Sequence, residues 1–270
     1  MSAPTRIRPA AVAGRFYPGD AATLAATVDD ALAHAAPSEG PAPKALLVPH
    51  AGYVYSGPIA ATGYRTLASV RSTVHRVVLV GPAHAVRVTG VAVSGADAFL
   101  TPLGPVPVDA AARAAVLTLP GVSVDDAAHA PEHSLEVHLP FLQRTLDDFT
   151  VLPLVVGASD PRTVATVLDT VWGGPETLIV VSSDLSHYHD HETAARRDLA
   201  TADAIVRGDG DALSPTDACG ATPIRGLLLA AAEHGLHARL LDLRTSGDTA
   251  GNRSRVVGYG AFGFTPSVTP

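Results

Sequence analysis

The stretch LIVVSSDLSH, residues 178–187, contains the pattern that decides the fold. Its first four residues, Leu178–Val181, form a short and wholly apolar run rich in β-branched side chains. Such a run is typical of a strand in a sheet that is covered on both faces. Polar residues follow it at once, among them Asp184 and His187. The sequence therefore predicts a buried strand that presents ligand-capable side chains just beyond its carboxyl end.

Two further predicted strands end in the same way. The apolar run ALLVP leads into His50, and RVVLVG is followed closely by His84. A histidine after a single strand is usually a capping or surface residue. Because parallel strands bring their carboxyl ends to one edge of the sheet, three such strand ends in one chain favour a shared ligand site.

The whole chain alternates short β-branched runs with longer Ala-rich amphipathic stretches. This alternation predicts an α/β fold in which helices flank a central, largely parallel or mixed sheet. The predicted strands are Ala45–Val48, Val77–Val80, Val91–Ser94, Val151–Val156, Leu178–Val181, Arg239–Leu243 and Val256–Phe262. The predicted helices are Pro58–Ser69, Ala110–Leu119, Glu132–Leu146, Pro161–Val171, Glu192–Val206 and Pro223–Glu233, with the three prolines in first turns. No repeat or Gly/Ser linker divides the sequence, so residues 1–270 are predicted to form a single domain with Thr101–Asp109 and Gly208–Asp217 as its longer loops.

Charge and hydropathy narrow the classes of function. The 270 residues carry a formal net charge of −7, and no run of Lys or Arg suggests a nucleic-acid partner. The first residues contain no apolar stretch of a secretory signal, and no later segment approaches about 18 uninterrupted apolar residues. We therefore expect a soluble, cytoplasmic protein with no membrane and no nucleic acid among its partners.

Several short motifs suggest sites that their context does not support. GYGAFG, residues 258–263, matches the glycine spacing of a dinucleotide site, but it lies in a strand-like run with no room for a following helix. In EHSLEVH, His133 and His138 are five residues apart and would point about 140° apart on a helix, so only His133 is expected to face the site. The later histidines of HYHDHE are expected at a solvated helix start. No G-x-S-x-G elbow is present, which disfavours a serine hydrolase.

Cys219, in DACGATPI, is the only cysteine of the sequence. It cannot form an intramolecular disulfide and lacks the paired spacing of a structural zinc site. Three interpretations remain: a small core residue, a reactive thiol, or a metal ligand with partners from elsewhere in the chain.

A set of motifs in fixed order resembles the MEMO family, known in prokaryotes as AmmeMemoRadiSam system protein B. The motifs are RPAAVAGRFYP, PHAGYVYSG, GPAHAV, FLTPLGPVPVD, EHSLEVHLPFL, VVSSDLSHY, DACGATPI and GYGAF. Together they span about Arg8 to Phe264, nearly the whole chain. Each motif alone is weak, but the ordered set is specific.

The resemblance implies a fold similar to class III extradiol dioxygenases, the non-haem iron enzymes that open catechol-like rings. It implies a metal site formed by His50, His84 and Cys219. It also places Asp184, His187 and His133 in the pocket, with His187 matching the acid/base histidine of the dioxygenases. The family name further implies a functional link to AMMECR1-type and radical SAM proteins.

Two imidazoles and one anionic group with open positions suit Fe(II), and the thiolate also increases affinity for Cu(I) or Zn²⁺. A bound metal would hold Cys219 deprotonated. Two hypotheses follow. One is an Fe(II)-dependent oxidoreductase acting on a small, possibly aromatic substrate, with His187 moving protons. The other is a non-catalytic protein that uses the same pocket to handle copper or iron or to bind a peptide.

Overall fold

The computed structural model describes residues 6–37 and 40–266. Its strands are β1 (Ile7–Arg8), β2 (Ala45–Val48), β3 (Arg76–Pro82), β4 (Val91–Val93), β5 (Ala98–Thr101), β6 (Gly104–Pro107), β7 (Val122–Val124), β8 (Thr150–Val156), β9 (Thr177–Ser182), β10 (His187–His189), β11 (Leu236–Thr245) and β12 (Val256–Pro266). Its α-helices are α1 (Ala21–His34), α2 (Tyr53–Arg65), α3 (Ala110–Val116), α4 (Asp126–His129), α5 (Leu139–Thr145), α6 (Pro161–Thr170), α7 (His191–Val206), α8 (Ala221–Glu233) and α9 (Ser246–Thr249). Single 3₁₀ turns occur at Ala68–Val70, Glu136–His138 and Gly210–Ala212.

Four parallel strands form the centre of the larger sheet, in the order β2, β9, β3, β8. Antiparallel strands extend it on both sides: β12 pairs with β2, and β4 pairs with β8. β10 and β11 pair with β12, and β7 continues the sheet beyond β4. A separate small sheet contains β1, β5 and β6. The prediction of an α/β fold with a largely parallel but mixed sheet is confirmed.

The central strands are apolar on both faces because helices cover both. Within β9, Leu178 and Val180 pack into one hydrophobic cluster, whereas Ile179 and Val181 pack into the other. Helices α1, α2 and α5 contribute to the first cluster, and α6, α7 and α8 to the second. This arrangement explains the uninterrupted apolar runs that the sequence shows at the central strands. Within the described part of the chain, no helix has the length and apolar character needed to cross a membrane.

The seven predicted strands are all present, but three other local predictions are wrong. Glu132–Leu146 is not one helix, since helical structure there consists of the turn Glu136–His138 followed by α5. Thr101–Asp109 is not a plain loop, because it contains β6. The predicted helix Pro58–Ser69 begins earlier, at Tyr53, so Pro58 lies inside α2 and not in its first turn. Proline has no N–H, so the carbonyl of Val54, four residues earlier, lacks its helical hydrogen bond, and Val54 lies on the exposed side of α2.

A buried carboxylate, that of Glu136, anchors the N-terminal segment to the rest of the fold. It forms an ion pair with the Arg8 guanidinium, which is also buried. It also accepts hydrogen bonds from the backbone N–H of Ala11 (2.7 Å) and Val12 (3.0 Å) and from the Tyr17 hydroxyl (2.5 Å). One side chain therefore fixes residues 8–17, although they are more than a hundred positions away in sequence.

Replacing Glu136 with Gln removes the charge that pairs with Arg8 and keeps the side-chain size. Because the guanidinium is then buried without its counter-charge, we expect the free energy of unfolding to fall by about 3–5 kcal/mol, measured by urea denaturation. The exposed pair Arg144–Asp29 supplies the matched control, and Asp29→Asn is expected to cost less than about 1 kcal/mol. Equal, small losses in both variants would show that packing, and not Glu136, holds the segment.

Candidate metal centre

The ends of β2, β3 and β9 meet at one edge of the sheet and bring their polar residues together. The rings of His50, after β2, and His84, after β3, have centroids 5.0 Å apart. Asp184, after β9, accepts a hydrogen bond from the His50 backbone N–H at 2.8 Å. The chain also passes this edge before α8, where the Cys219 N–H donates to the Asp184 carbonyl at 3.2 Å.

Three histidines form a compact group of possible metal ligands. One nitrogen from each of His50, His84 and His133 lies within 4.8 Å of the other two. The His133 ring stacks on that of His84, with centroids 4.7 Å apart, and is covered on another side by Phe16 at 4.7 Å. Burial lowers the pKa of both His50 and His133, which favours the neutral imidazole that a metal requires.

Cys219 contacts this group through His50. Its Sγ lies 3.3 Å from Nε2 of His50, and a nitrogen and a sulfur bound to one tetrahedral ion lie about 3.5 Å apart. Gly220 makes this position possible, because a Cβ there would lie 2.7 Å from the Ser183 Cβ. Burial raises the pKa of the Cys219 thiol to about 12, so without a cation the group is protonated. Its role as a ligand therefore stays a prediction.

Ser182 determines which nitrogen of His50 carries the proton. Its hydroxyl donates to the Ser134 carbonyl (2.6 Å), so its oxygen can only accept from its two other partners. These are Nδ1 of His50 (2.6 Å) and Nε2 of His138 (2.8 Å), and both nitrogens must therefore carry a hydrogen. In neutral His50 this leaves the Nε2 lone pair free, on the side where Cys219 lies.

Glu132 determines which nitrogen of His84 carries the proton. Its carboxylate accepts from Nδ1 of His84 (2.9 Å) and from the backbone N–H groups of His84 (2.7 Å), His133 (3.0 Å) and Ser134 (2.9 Å). Burial alone would raise the pKa of Glu132, but these hydrogen bonds outweigh it and lower the pKa to about 2. A carboxylate bound to Nδ1 keeps the proton there, as in carboxylate–histidine–metal arrangements, and leaves Nε2 of His84 free.

His187 lies beside this group without belonging to it. Its Nδ1 donates to the Leu185 carbonyl at 2.8 Å, so Nε2 of the neutral ring is available to accept a proton. Burial lowers its pKa, which keeps the ring neutral near pH 7. A cavity of about 620 Å³ is lined by His187 together with His84 and Cys219. Burial raises the pKa of the nearby Asp184 to about 7, so this carboxyl group can exchange a proton near neutrality.

A family model described as Memo-like protein matches residues 8–262. The chain belongs to this family. The resemblance found in the ordered motifs is thereby confirmed. A MEMO1 family protein of Ignicoccus hospitalis is 37% identical over 96% of this chain and 98% of its own length. One of Aquifex aeolicus is 37% identical over 94% of this chain and 97% of its own. Among solved structures, the uncharacterized protein JW3007 of Escherichia coli K12 is 13% identical, with a TM-score of 0.46 over 80% of this chain and 98% of that chain.

In this Memo-like protein the predicted site residues occupy one region, but the structure groups them differently from the prediction. The compact histidine group contains His133, which was expected only to line the pocket, whereas Cys219 is attached to the group through His50. As expected, His138 does not join the group. Its Nε2 donates a hydrogen bond to the Ser182 hydroxyl, so it contacts the site only through Ser182.

Ser182 and Glu132 were missed by sequence reasoning. Glu132 could have been noticed, because it directly precedes His133 in the motif EHSLEVH. The role of Ser182 depends on strand register, since β9 pairs Ser182 with Val48, two residues before His50.

Removing the Ser182 hydroxyl tests whether it fixes the His50 tautomer. In Ser182→Ala, Nδ1 of His50 loses its acceptor, so we expect Zn²⁺ affinity to fall about 10- to 100-fold in a chelator competition assay. Ser182→Thr keeps the hydroxyl and should restore most of the affinity. ¹⁵N NMR of the metal-free protein should show the Nδ1–H form of His50 in the wild type and a mixture in Ser182→Ala.

Ser94→Ala provides the control for losing a buried hydroxyl, because Ser94 bonds to Asp126 and not to a histidine. Its Zn²⁺ affinity should equal that of the wild type. If Ser182→Ala also binds Zn²⁺ as tightly as the wild type, the hydroxyl does not position His50.

Proposed function

We propose that the protein is a metal-dependent oxidoreductase that holds Fe(II) on His50, His84 and Cys219 and acts on a small, possibly aromatic molecule. The observation that carries the proposal is the shared cavity of about 620 Å³, which joins possible metal ligands to a histidine with a free ring nitrogen. A cavity of this size suits a small organic ligand, which a site that only stores a metal does not need.

The donor set supports a metal at this position. Two imidazoles have their Nδ1 atoms engaged by Ser182 and Glu132, so their Nε2 atoms carry the lone pairs that a metal needs. Cys219 supplies a softer third donor, and His133 is a fourth candidate within reach. Fe(II) in such a site would supply the redox chemistry with O₂ that two histidines, one anionic ligand and open positions permit.

Residues beside the metal ligands would transfer protons to and from the bound molecule and exclude water. Nε2 of His187 would accept a proton from a hydroxyl group of the bound molecule and return it later. Asp184, whose pKa is raised to about 7 by burial, would exchange a proton with the bound molecule or with water. Alternatively, it would position His50 through the hydrogen bond that it accepts from the His50 backbone N–H. Phe16, whose ring packs against that of His133, would keep water from this side of the histidine group.

Copper or iron handling without catalysis is the second candidate, and peptide binding in the same pocket belongs with it. The specific observation in favour of metal handling is the sulfur donor 3.3 Å from His50, because thiolate with imidazole suits Cu(I) and Zn²⁺ as well as iron. Neither a free base nor a cavity would then be needed. The expected link to AMMECR1-type and radical SAM proteins stays a prediction under both candidates.

His187→Ala separates catalysis from metal binding. Because His187 is outside the ligand group, this variant should bind Fe(II) like the wild type. Its turnover rate should be about 10²–10⁴-fold lower. His50→Ala should lose both properties together. The measurement is oxygen uptake with catechol and with dihydroxybenzoates after anaerobic loading with saturating Fe(II).

His191→Ala is the control for removing a half-buried histidine outside the cavity lining, since His191 pairs with Asp248 and its loss should leave turnover unchanged. Turnover of His187→Ala at the wild-type rate would remove His187 from the reaction. If the iron-loaded wild type consumes no oxygen with any diol and binds copper tightly, metal handling replaces the enzyme proposal.

Cys219→Ser tests the thiol as a ligand. Oxygen replaces sulfur with little change of volume, so the fold should remain intact while metal affinity falls strongly, by about tenfold or more. Metal content after anaerobic reconstitution is the measurement, with the midpoint of thermal unfolding as the check on folding. Unchanged metal content would make Cys219 a core residue and leave His133 as the third ligand.

A further inference from the structure

The cavity beside the histidine group has no acidic lining, although the protein as a whole is acidic. The chain carries a net charge of −7. None of the lining residues, all within the described part of the chain, is Asp or Glu, and besides His84 and Cys219 the lining includes Arg197, Tyr188 and Thr216. Arg197 is the one permanently charged side chain of this lining, so the cavity itself presents a cation and no carboxylate. The lining therefore favours an anionic ligand.

Arg197 is the cation on this wall. It lies in α7, and its Nη2 donates to a carboxylate oxygen of Asp217 at 3.0 Å and to the Thr216 carbonyl at 3.4 Å. Its Nε is buried and has no hydrogen-bond partner among the described residues. The side chain as a whole is 38% exposed, and its Nη1 makes no hydrogen bond within the described part of the chain, so Nη1 and not the buried Nε can meet a carboxylate in the cavity.

Tyr188 supplies a flat apolar surface on the same wall. Its ring is 64% exposed, and the Arg255 guanidinium lies 4.5 Å from the ring centroid. Its backbone has φ of 65°, the left-handed region that a tyrosine seldom adopts. Strain of this kind persists where the surrounding structure imposes it, and it is concentrated at ligand sites. An exposed aromatic ring held in this way is suited to stack on a planar ligand.

We infer that the cavity binds a small aromatic carboxylate, with the carboxylate on Arg197 and the ring against Tyr188. The inference rests on the proposed function only in making this molecule the substrate, because Arg197 and Tyr188 are outside the metal ligands. It restricts the substrate class to aromatic acids and separates them from neutral diols.

A purely structural role for Arg197 makes a different prediction. Asp217, its partner, also accepts from the backbone N–H and hydroxyl of Ser214, so the pair could simply hold the loop that leads to Cys219. If that were its only role, breaking the pair from either side would harm the pocket. If Arg197 binds an anion, Asp217 competes with the ligand, and removing the charge of Asp217 should strengthen binding.

The first experiment compares two neighbouring arginines. Isothermal titration of the metal-free, full-length protein with benzoate, and with benzamide as its neutral analogue, gives the affinities. Arg197→Gln should weaken benzoate binding about 10- to 100-fold and leave the weak binding of benzamide unchanged. Arg196→Gln removes the same charge from an exposed position paired with Glu192, and it should bind benzoate like the wild type. Equal losses in the two variants, or equal affinity of the wild type for benzoate and benzamide, would overturn the inference.

The second experiment uses Asp217→Asn, which keeps an acceptor for Ser214. Anion binding predicts severalfold tighter benzoate binding than in the wild type, whereas a structural role predicts weaker binding. Inorganic phosphate is titrated in parallel, and binding of phosphate with no binding of benzoate would contradict an aromatic carboxylate. Because the protein is metal-free in these titrations, a failure here is distinct from a failure of the iron-loaded protein to consume oxygen.

Discussion

The position of β9 between β2 and β3 is the constraint on which the site depends. Parallel pairing on both sides places Val181 beside Leu47 and Val80, so the three strands end at the same level. The polar residues that follow each strand must then share one small volume. This convergence needs no specific contact between the histidines, since the apolar register of the sheet produces it.

Two buried glutamates in one segment connect this edge to the rest of the molecule. Glu132 accepts hydrogen bonds from backbone N–H groups at and near His84. Glu136, four residues later, accepts them from the N-terminal segment. Each is compensated by several donors, as a buried charge must be.

Most of the fold could be predicted from the sequence, because β-branched runs and amphipathic stretches are local signals. Helix α1 was overlooked although Asp20 caps its first turn and Leu24 and Val28 mark its buried face. In the site, the strand ends predicted His50 and His84, but only the family resemblance predicted Cys219 as their partner. The bonds from Ser182 to two histidines could not be predicted, because they depend on register and on distances between segments far apart in sequence.

The anchoring of residues 8–17 by Glu136 also has a consequence for the order of folding. The bonds that fix this segment join residues separated by 119 to 128 positions, so their formation needs a chain already extended beyond residue 136. During synthesis residues 8–17 would therefore stay unbound to the rest of the fold until about half of the chain has been made. Phe16 lies against His133 only after that docking. Phe16 thus covers the histidine group late, and a truncated or newly made chain would have this side of the site open to water.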